Sequence, residues 1–228
     1  MKSKENIQKK VLGKICKLKH NLFGNIKISY DFNNVKYELL LLTSDCADNK
    51  ELMQLIGRWR KENEIWFPSQ FNVTTERTTK WFKDKVTNAP DKLLFMIKAG
   101  DDYIGHVGLF RFDFEANTCE IDNIIRGEPA YPGIMYDAIK NMMDWGRNML
   151  GLKNYSLKTF SYNEKAIKLY KRLGFKAITK IPLIQTEGKD GLEWIDAPEG
   201  YAKKINRYNL IMKYERKNYY LHTNQKQV

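Results

Sequence analysis

The amino-acid sequence predicts an α/β fold with a mixed central sheet and helices on both of its faces. Three observations lead to this prediction. Segments with strand-like alternation are interleaved with segments of helical periodicity along most of the chain. A strand-like run at 155–160 leads directly into a short helix that ends at Gly174. The composition, with 43% hydrophobic and 13% aromatic residues over 228 positions, is typical of a chain that buries a hydrophobic core.

The predicted elements follow one another in an order that suits such a sheet. Residues 26–32 and 37–42 alternate around a turn candidate at Asn33-Asn34 and predict a hairpin at the domain edge. The elements from there on are a strand at 37–43, helices at 48–63 and 74–87, strands at 93–99, 103–114 and 117–125, a helix at 133–149, a strand at 155–160, the helix ending at Gly174, and strands at 176–182 and 207–215. Residues 185–203 are rich in glycine and charge, and we expect a long loop there.

The first 27 residues form a basic segment. They contain eight lysines and one glutamate, and so carry more than half of the net charge of +12. Apolar residues recur in this segment at helical spacing, namely at Ile7, Val11, Ile15, Leu18 and Leu22. We expect a basic extension at 1–35 with a helix and an edge strand, a main domain at 36–216 and a polar tail at 217–228. The extension either contacts an anionic membrane or a partner, or packs on its own domain.

The helix before Gly174 has marked ends. Ser161 and Glu164 have the spacing of a capping box, and Asn163 is itself a favourable cap. Gly174 stands where a helix ends in the left-handed conformation. Asn163 and Tyr170 are seven residues apart, about two turns, so a single ligand can contact both. The alternative is a capped amphipathic helix that uses Tyr170 as a core aromatic.

The pattern N-x-x-A-x-x-x-Y-x-x-x-G-F at residues 163–175 resembles the acyl-CoA-binding helix of the Gcn5-related N-acetyltransferases, the GNAT superfamily. The resemblance implies a GNAT-like sheet and acetyl-CoA as cosubstrate. It also implies that Asn163, Ala166 and Tyr170 contact the cosubstrate. Tyr170 would protonate the departing thiolate, as a general acid.

A phosphate-binding loop is a second implication of the resemblance. In the family it reads Q/R-x-x-G-x-G/A at a helix start, where backbone N–H groups bind the pyrophosphate. Gly133 fits the central glycine, but Ala130 replaces the basic residue. We expect Gly133, Ile134 and Met135 to bind the phosphates, with Arg126 supplying the missing charge. The alternative is an ordinary Pro-Gly turn that leads into a helix.

Glu120 and Asp122 are candidate general bases on the strand at 117–125. They point to the same side of the strand, and a buried carboxylate can accept a proton from an amine. His106 is a second candidate base, and two acids on a polar strand face are the alternative. The resemblance further implies that the strand backbone pairs with pantetheine, here at Ile121, Asn123 and Ile124.

The acceptor is expected at the loop that joins the first two helices, again because of the resemblance. This region is dense in aromatic residues and contains Arg60, Trp66 and Phe67, which can stack on a ring or pair with phosphate. The alternative is that the aromatic residues, Trp59 among them, belong to the core.

The resulting prediction is an acetyl-CoA-dependent N-acetyltransferase that acts on a primary amine of a small acceptor, such as a nucleotide-linked amino sugar, by direct attack in a ternary complex. The alternatives are a GNAT-fold binding or scaffold protein with weak catalysis, and a protein N-acetyltransferase. Three dispersed cysteines and three dispersed histidines predict neither a disulfide framework nor a metal site. We expect a cytoplasmic protein without a nucleic-acid partner, and the sequence leaves the oligomeric state open.

Overall fold

Strand-forming segments supply the framework of the molecule. A computed structural model describes residues 12–20, 26–113, 115–188 and 190–215. The strands in these ranges are β1 (Lys27–Phe32), β2 (Val35–Leu41), β3 (Ser69–Phe71), β4 (Lys92–Ala99), β5 (Asp102–Asp113), β6 (Thr118–Arg126), β7 (Asn154–Phe160), β8 (Phe175–Gly188), β9 (Gly191–Asp196) and β10 (Arg207–Tyr214).

All of these strands belong to one mixed sheet. Their order across the sheet is β1-β2-β4-β5-β6-β7-β10-β8-β9-β3. Neighbours pair antiparallel except for β6 and β7, which are parallel. A parallel pair needs a crossover connection, and a long helix lies between these two strands in the chain. The predicted mixed α/β architecture is therefore confirmed.

Helices cover both faces of the sheet. Among the described residues they are α1 (12–19), α2 (Lys50–Glu62), α3 (Thr75–Trp81), α4 (Ile134–Leu150) and α5 (Glu164–Leu173). Alternate residues of β4 enter two separate cores, because side chains alternate between faces along a strand. Leu93 and Phe95 belong to the core that includes residues of α1, α4 and α5, whereas Leu94 and Met96 belong to the core beside α2.

Most of the predicted elements are present with small differences at their ends. The predicted helix at 74–87 contains α3 and continues as a π-helical turn at Phe82–Thr87. The expectation of a loop at 185–203 is wrong in its first half, because β8 continues to Gly188 and turns into β9. Gly191 also allows β3 to pair with β9, since a Cβ atom there would lie 2.0 Å from the Gln70 carbonyl oxygen.

The basic N-terminal segment is packed on the domain where the structure describes it. Ile15 is fully buried and Leu18 is 4% exposed, and both belong to the core that includes residues of α4. The Lys19 ammonium donates hydrogen bonds to the carbonyls of Val86, Thr87 and Ala89, and burial lowers its pKa to about 8. This favours packing on the domain for α1.

Ile7, Val11 and Leu22 lie outside the described residues, as does the C-terminal tail. The division of the chain at residues 35 and 216 and the membrane contact of the first residues therefore stay predictions. None of the helices within the described ranges is both long and apolar enough to cross a membrane.

Candidate active site

A cleft opens where β6 and β7 separate. These parallel strands pair over three residues, from Thr118 with Asn154 to Glu120 with Ser156. No further pair joins them, although both strands lie wholly within the described part of the chain. The space between the diverging strands is a cleft of about 1030 Å³. The second half of β6 therefore has backbone groups that β7 does not satisfy.

A bulge in β6 increases this separation. Asn123 and Ile124 together lie opposite Val107 of β5, and Asn123 has a φ of +50°. A bulge of this kind bends its strand and redirects the neighbouring side chains. Ile121, Asn123 and Ile124, the residues expected to contact pantetheine, all line the cleft.

The second wall of the cleft is α5. Its N-cap is Asn163, whose side-chain oxygen accepts a hydrogen bond of 3.2 Å from the backbone N–H of Ala166. The predicted capping box from Ser161 to Glu164 is wrong, because Glu164 is the first helical residue and its N–H bonds to Tyr162. The predicted left-handed end of the helix at Gly174 is confirmed, with a φ of +101°.

Tyr170 reaches the cleft from α5 while most of its ring is buried. It is 6% exposed and lines the cleft together with Asn163 and Ala166. Burial raises the pKa of the phenol, and the negative charge of Asp122 raises it further. The phenol therefore keeps its proton at neutral pH. A protonated hydroxyl beside a carboxylate can donate a proton to a leaving group.

The two predicted acids lie together on the cleft wall and share one partner. The Arg111 guanidinium contacts Glu120 at 2.6 Å through Nε and Asp122 at 2.5 Å through Nη2. Arg111 has a φ of +53° and lies at an irregularity in the pairing of β5 with β6. These ion pairs raise the pKa of the Arg111 guanidinium against the opposing effect of its burial. Both acids thus line the cleft as partners of a fixed cation.

The predicted phosphate loop leads from β6 to α4. Gly133 is the N-cap of α4 in the left-handed conformation, with a φ of +96°, and it lines the cleft with Met135. Ile134 is 1% exposed and its N–H bonds to Tyr131, so it belongs to the core and is absent from the cleft lining. The Tyr136 N–H bonds to the Gly133 carbonyl, so of the first three N–H groups of α4 only that of Met135 is left for an anion.

Arg126 organises this loop from within. Its guanidinium donates hydrogen bonds to the backbone carbonyls of Glu128, Pro129 and Ala130. Arg126 lines the cleft, and its Nε and Nη2 groups hold the loop. Carbonyl partners leave the positive charge of the guanidinium in place, so the expectation that Arg126 supplies phosphate-binding charge stays a prediction.

The predicted acceptor residues separate into two groups. Trp66 and Phe67 line the cleft. Arg60 does not: its guanidinium lies 4.0 Å from the ring centroid of Phe67 and donates a hydrogen bond to the Ser69 carbonyl. Burial lowers the pKa of Arg60 to about 10. The contacts of Arg60 favour a role in holding its own loop, and binding of the acceptor by this residue stays a prediction.

The segment before β3 and strand β9 form one side of the cleft, which is lined there by Trp66, Phe67, Pro68, Trp194 and Asp196. The backbone N–H of Trp194 donates to the Pro68 carbonyl at 2.7 Å, next to the paired residues of the two strands. At the other end of the same loop, the Tyr162 hydroxyl donates to the Ile65 carbonyl at 3.3 Å. The loop at 63–71 is therefore attached at both ends, which makes this wall continuous.

His106 is not a cleft residue. It is 1% exposed, and its Nδ1 lies 2.7 Å from the Asn123 carbonyl oxygen. Burial lowers its pKa to about 4, so the ring is neutral at physiological pH. Its position orients the bulge of β6 and gives no path to a bound amine. The structure therefore favours a structural role for His106 over a role as a base.

Several residues of the cleft were missed from the sequence. They are Arg111, Lys165, Lys168, Arg172, Trp194 and Asp196. The three α5 cations repeat at helical spacing, so they were visible in the sequence once α5 was assigned. Trp194 and Asp196 come from a hairpin that was predicted as a loop. No group of three or more His, Cys, Asp or Glu residues in the described ranges is placed to hold a metal ion.

Comparison with known proteins gives one family. The model of a family described as an acetyltransferase (GNAT) domain matches residues 40–176. A curated relative, the spermidine N(1)-acetyltransferase of Escherichia coli K12, is 28% identical over 110 residues. That alignment covers 48% of this chain and 58% of the relative, so the chain matches little more than half of the relative's length.

Solved structures show the same fold at low sequence identity. A spermidine N-acetyltransferase SpeG chimera from Vibrio cholerae and human SSAT has a TM-score of 0.55 at 17% identity, over 72% of this chain and 90% of that one. A ribosomal-protein-S5-alanine acetyltransferase from Vibrio fischeri has a TM-score of 0.54 at 16% identity, over 84% and 98% of the two chains.

Proposed function

Because the chain belongs to the GNAT acetyltransferase family, we propose that it transfers the acetyl group of acetyl-CoA to a primary amine of a small acceptor. Members of this family use acetyl-CoA as cosubstrate, and it supplies an activated acyl thioester. The observation that carries the proposal is the early end of the β6–β7 pairing after Glu120, beside a cleft lined by Asn163 and Tyr170.

The residues of the cleft fit acetyl-CoA. The backbone of β6 at Ile121, Asn123 and Ile124 would bind the amide-containing arm, because β7 leaves this edge unpaired. The start of α4 at Gly133 and Met135 would bind phosphate oxygens through backbone N–H groups. Asn163 and Ala166 would contact the cosubstrate from α5, where both line the cleft.

Proton transfer in the proposed reaction uses residues of this chain. Tyr170 holds a phenolic proton next to Asp122 and would donate it to the leaving thiolate. Asp122 or Glu120 would accept the proton of the attacking amine, directly or through water. Arg111 holds both carboxylates in place and would limit their freedom to reorient. Amine and cosubstrate would react in one ternary complex.

We propose a polyamine-like amine as the preferred acceptor. The curated relative is named for spermidine, and Asp196 adds a carboxylate to the cleft beside Glu120 and Asp122. A nucleotide-linked acceptor was expected because Arg60 could pair with its phosphate. Arg60 does not line the cleft, so this support is removed.

An amino sugar is the second candidate. Trp66 and Trp194 both line the cleft, and an indole ring is a suitable surface for stacking against a sugar. This observation favours a ring-shaped acceptor, whereas the carboxylates favour an acceptor with a second positive charge. The two candidates therefore differ in which cleft residues they require.

The test compares kcat/KM for spermidine, glucosamine and a peptide with a free N-terminus, at saturating acetyl-CoA, by thiol release and mass spectrometry of the product. We expect spermidine to be preferred. Asp196→Asn should raise the KM for spermidine several-fold, whereas the control Asp101→Asn, an exposed acid outside the cleft, should not. A preference for the peptide would replace the proposal with a protein N-acetyltransferase. No acetylation of any amine would favour a binding protein.

A further inference from the structure

A row of three cations lines the cleft from α5. Lys165, Lys168 and Arg172 follow one another by three and four residues, so they lie within about 60° of one another around the helix axis. All three side chains are exposed. They border the cleft from the exposed side of the helix, about 140–160° around its axis from Tyr170.

These cations differ from the other arginines of the cleft in their partners. Arg111 is held by two carboxylates, and Arg126 is held by three loop carbonyls. In the part of the chain that the structure describes, no carboxylate forms an ion pair with Lys165, Lys168 or Arg172. The row is therefore positive charge at the rim of the cleft, and it forms no ion pair there within the described ranges.

Contact between helices places one end of the row near the start of α4. The guanidinium carbon of Arg172 lies 4.9 Å from the ring centroid of Tyr136. Tyr136 is in the first turn of α4, three residues after the N-cap Gly133. The row thus approaches the anion-binding end of α4 from the opposite wall of the cleft.

We infer that Lys165, Lys168 and Arg172 form a phosphate-binding site for CoA. The loop before α4 has Ala130 where the family has a basic residue, and Nε and Nη2 of Arg126 are bonded to carbonyls of that loop. The row on α5 supplies the missing positive charge from a different element. This inference rests on the proposed function, because it assigns new residues to the same cosubstrate. The group that the row binds is a phosphate of CoA, either the 3′-phosphate or the pyrophosphate.

The test is calorimetric titration of the full chain with CoA and with dephospho-CoA, which lacks the 3′-phosphate. The double variant Lys165→Gln/Lys168→Gln should bind CoA about tenfold more weakly, since charged hydrogen bonds to phosphate are strong. Lys171→Gln is the matched control, because this exposed lysine is on the same helix and does not line the cleft. Its affinity for CoA should stay close to that of the wild type.

The outcomes distinguish this inference from the proposed function. If the double variant binds CoA more weakly than the wild type but binds dephospho-CoA equally well, the row contacts the 3′-phosphate. If the double variant loses the same affinity for both ligands, the row contacts the pyrophosphate. If the double variant binds CoA as tightly as Lys171→Gln does, the row has no phosphate role, even though the proposed function stands. If the wild type itself does not bind CoA, the proposed function fails first. Thermal unfolding of each variant checks that the fold is intact.

Discussion

The guanidinium of Arg111 lies 2.5 Å from the Asp122 carboxylate, and the negative charge of Asp122 in turn acts on the phenol of Tyr170. The three residues come from β5, β6 and α5. The proposed proton acceptor and the proposed proton donor therefore line the same cleft, and Arg111 holds the acceptor. This arrangement makes Arg111 a positioning residue in the proposed reaction.

Arg111→Gln is expected to lower kcat about tenfold, because Asp122 and Glu120 lose the group that orients them. The same change removes a positive charge from the cleft, so the KM for a cationic amine should fall. Steady-state kinetics with spermidine and acetyl-CoA separates the two effects. Lys171→Gln, which removes an equal charge outside the cleft, is the control. If kcat and KM both match those of the control, Arg111 does not position the acids.

Gly133→Ala is expected to weaken acetyl-CoA binding at the start of α4. A left-handed backbone costs an alanine roughly 1–2 kcal/mol, so some loss of stability is also expected. Gly151→Ala is the matched control, because Gly151 is the C-cap of the same helix, with a φ of +73° and open space for a Cβ atom. Both variants should lose similar stability, and only Gly133→Ala should show a raised Kd for acetyl-CoA in a titration. If Gly133→Ala and Gly151→Ala bind acetyl-CoA with the same Kd, the phosphate lies away from this end of α4.

Stability is expected to fall as the pH drops from about 6.5 towards 4, because of His106. Its pKa is about 4 in the folded chain, against an ordinary value of 6.5. Between pH 6.5 and 4 the unfolded chain binds a proton at His106 more readily than the folded chain does, so a falling pH favours unfolding. The free energy of unfolding should decrease by about 3 kcal/mol over this range.

Urea unfolding at several pH values measures this slope. His106→Gln should flatten it between pH 6.5 and 4, while His20→Gln, at an exposed position, should leave it unchanged. An unaltered slope in His106→Gln would assign the acid sensitivity to other groups.

Ile15→Ala is expected to destabilise the protein by about 2–4 kcal/mol, because the side chain is fully buried in the core. Cys16→Ala, at the neighbouring exposed position, should change stability by no more than about 0.5 kcal/mol. Chemical unfolding of both variants makes the comparison. If Ile15→Ala is as stable as Cys16→Ala, α1 is not part of the core. Contact of the basic segment with a membrane or a partner would then be favoured.

The parts of the fold set by local signals could be predicted from the sequence. The left-handed end of α5 at Gly174 follows from one residue type, and the cleft residues Asn163 and Tyr170 follow from a spacing within one helix. Even there, the capping box was misplaced, because Ser161 and Asn163 are both favourable caps and the competition between them depends on the preceding strand.

Contacts between distant segments could not be predicted in the same way. Arg111 meets Glu120 and Asp122 through an irregular pairing of two strands, with an arginine in a backbone conformation that arginine seldom adopts. The pairing of β3 with β9 joins residues more than a hundred positions apart. Arg60 carried the charge expected of a binding residue, and only its packing against Phe67 shows that it holds the loop.

The most direct test of the proposed active site is the rate of acetyl transfer by Tyr170→Phe relative to the wild type, with acetyl-CoA and the preferred amine. The ring stays in place, and only the proton donor is removed. If Tyr170 is the general acid, kcat falls by about 10²–10⁴. The control Tyr155→Phe removes a buried hydroxyl that donates to the Met143 carbonyl at 2.6 Å in the core, so it should lower stability and leave kcat unchanged. A wild-type kcat in Tyr170→Phe would contradict the assignment of Tyr170 as the general acid of this cleft.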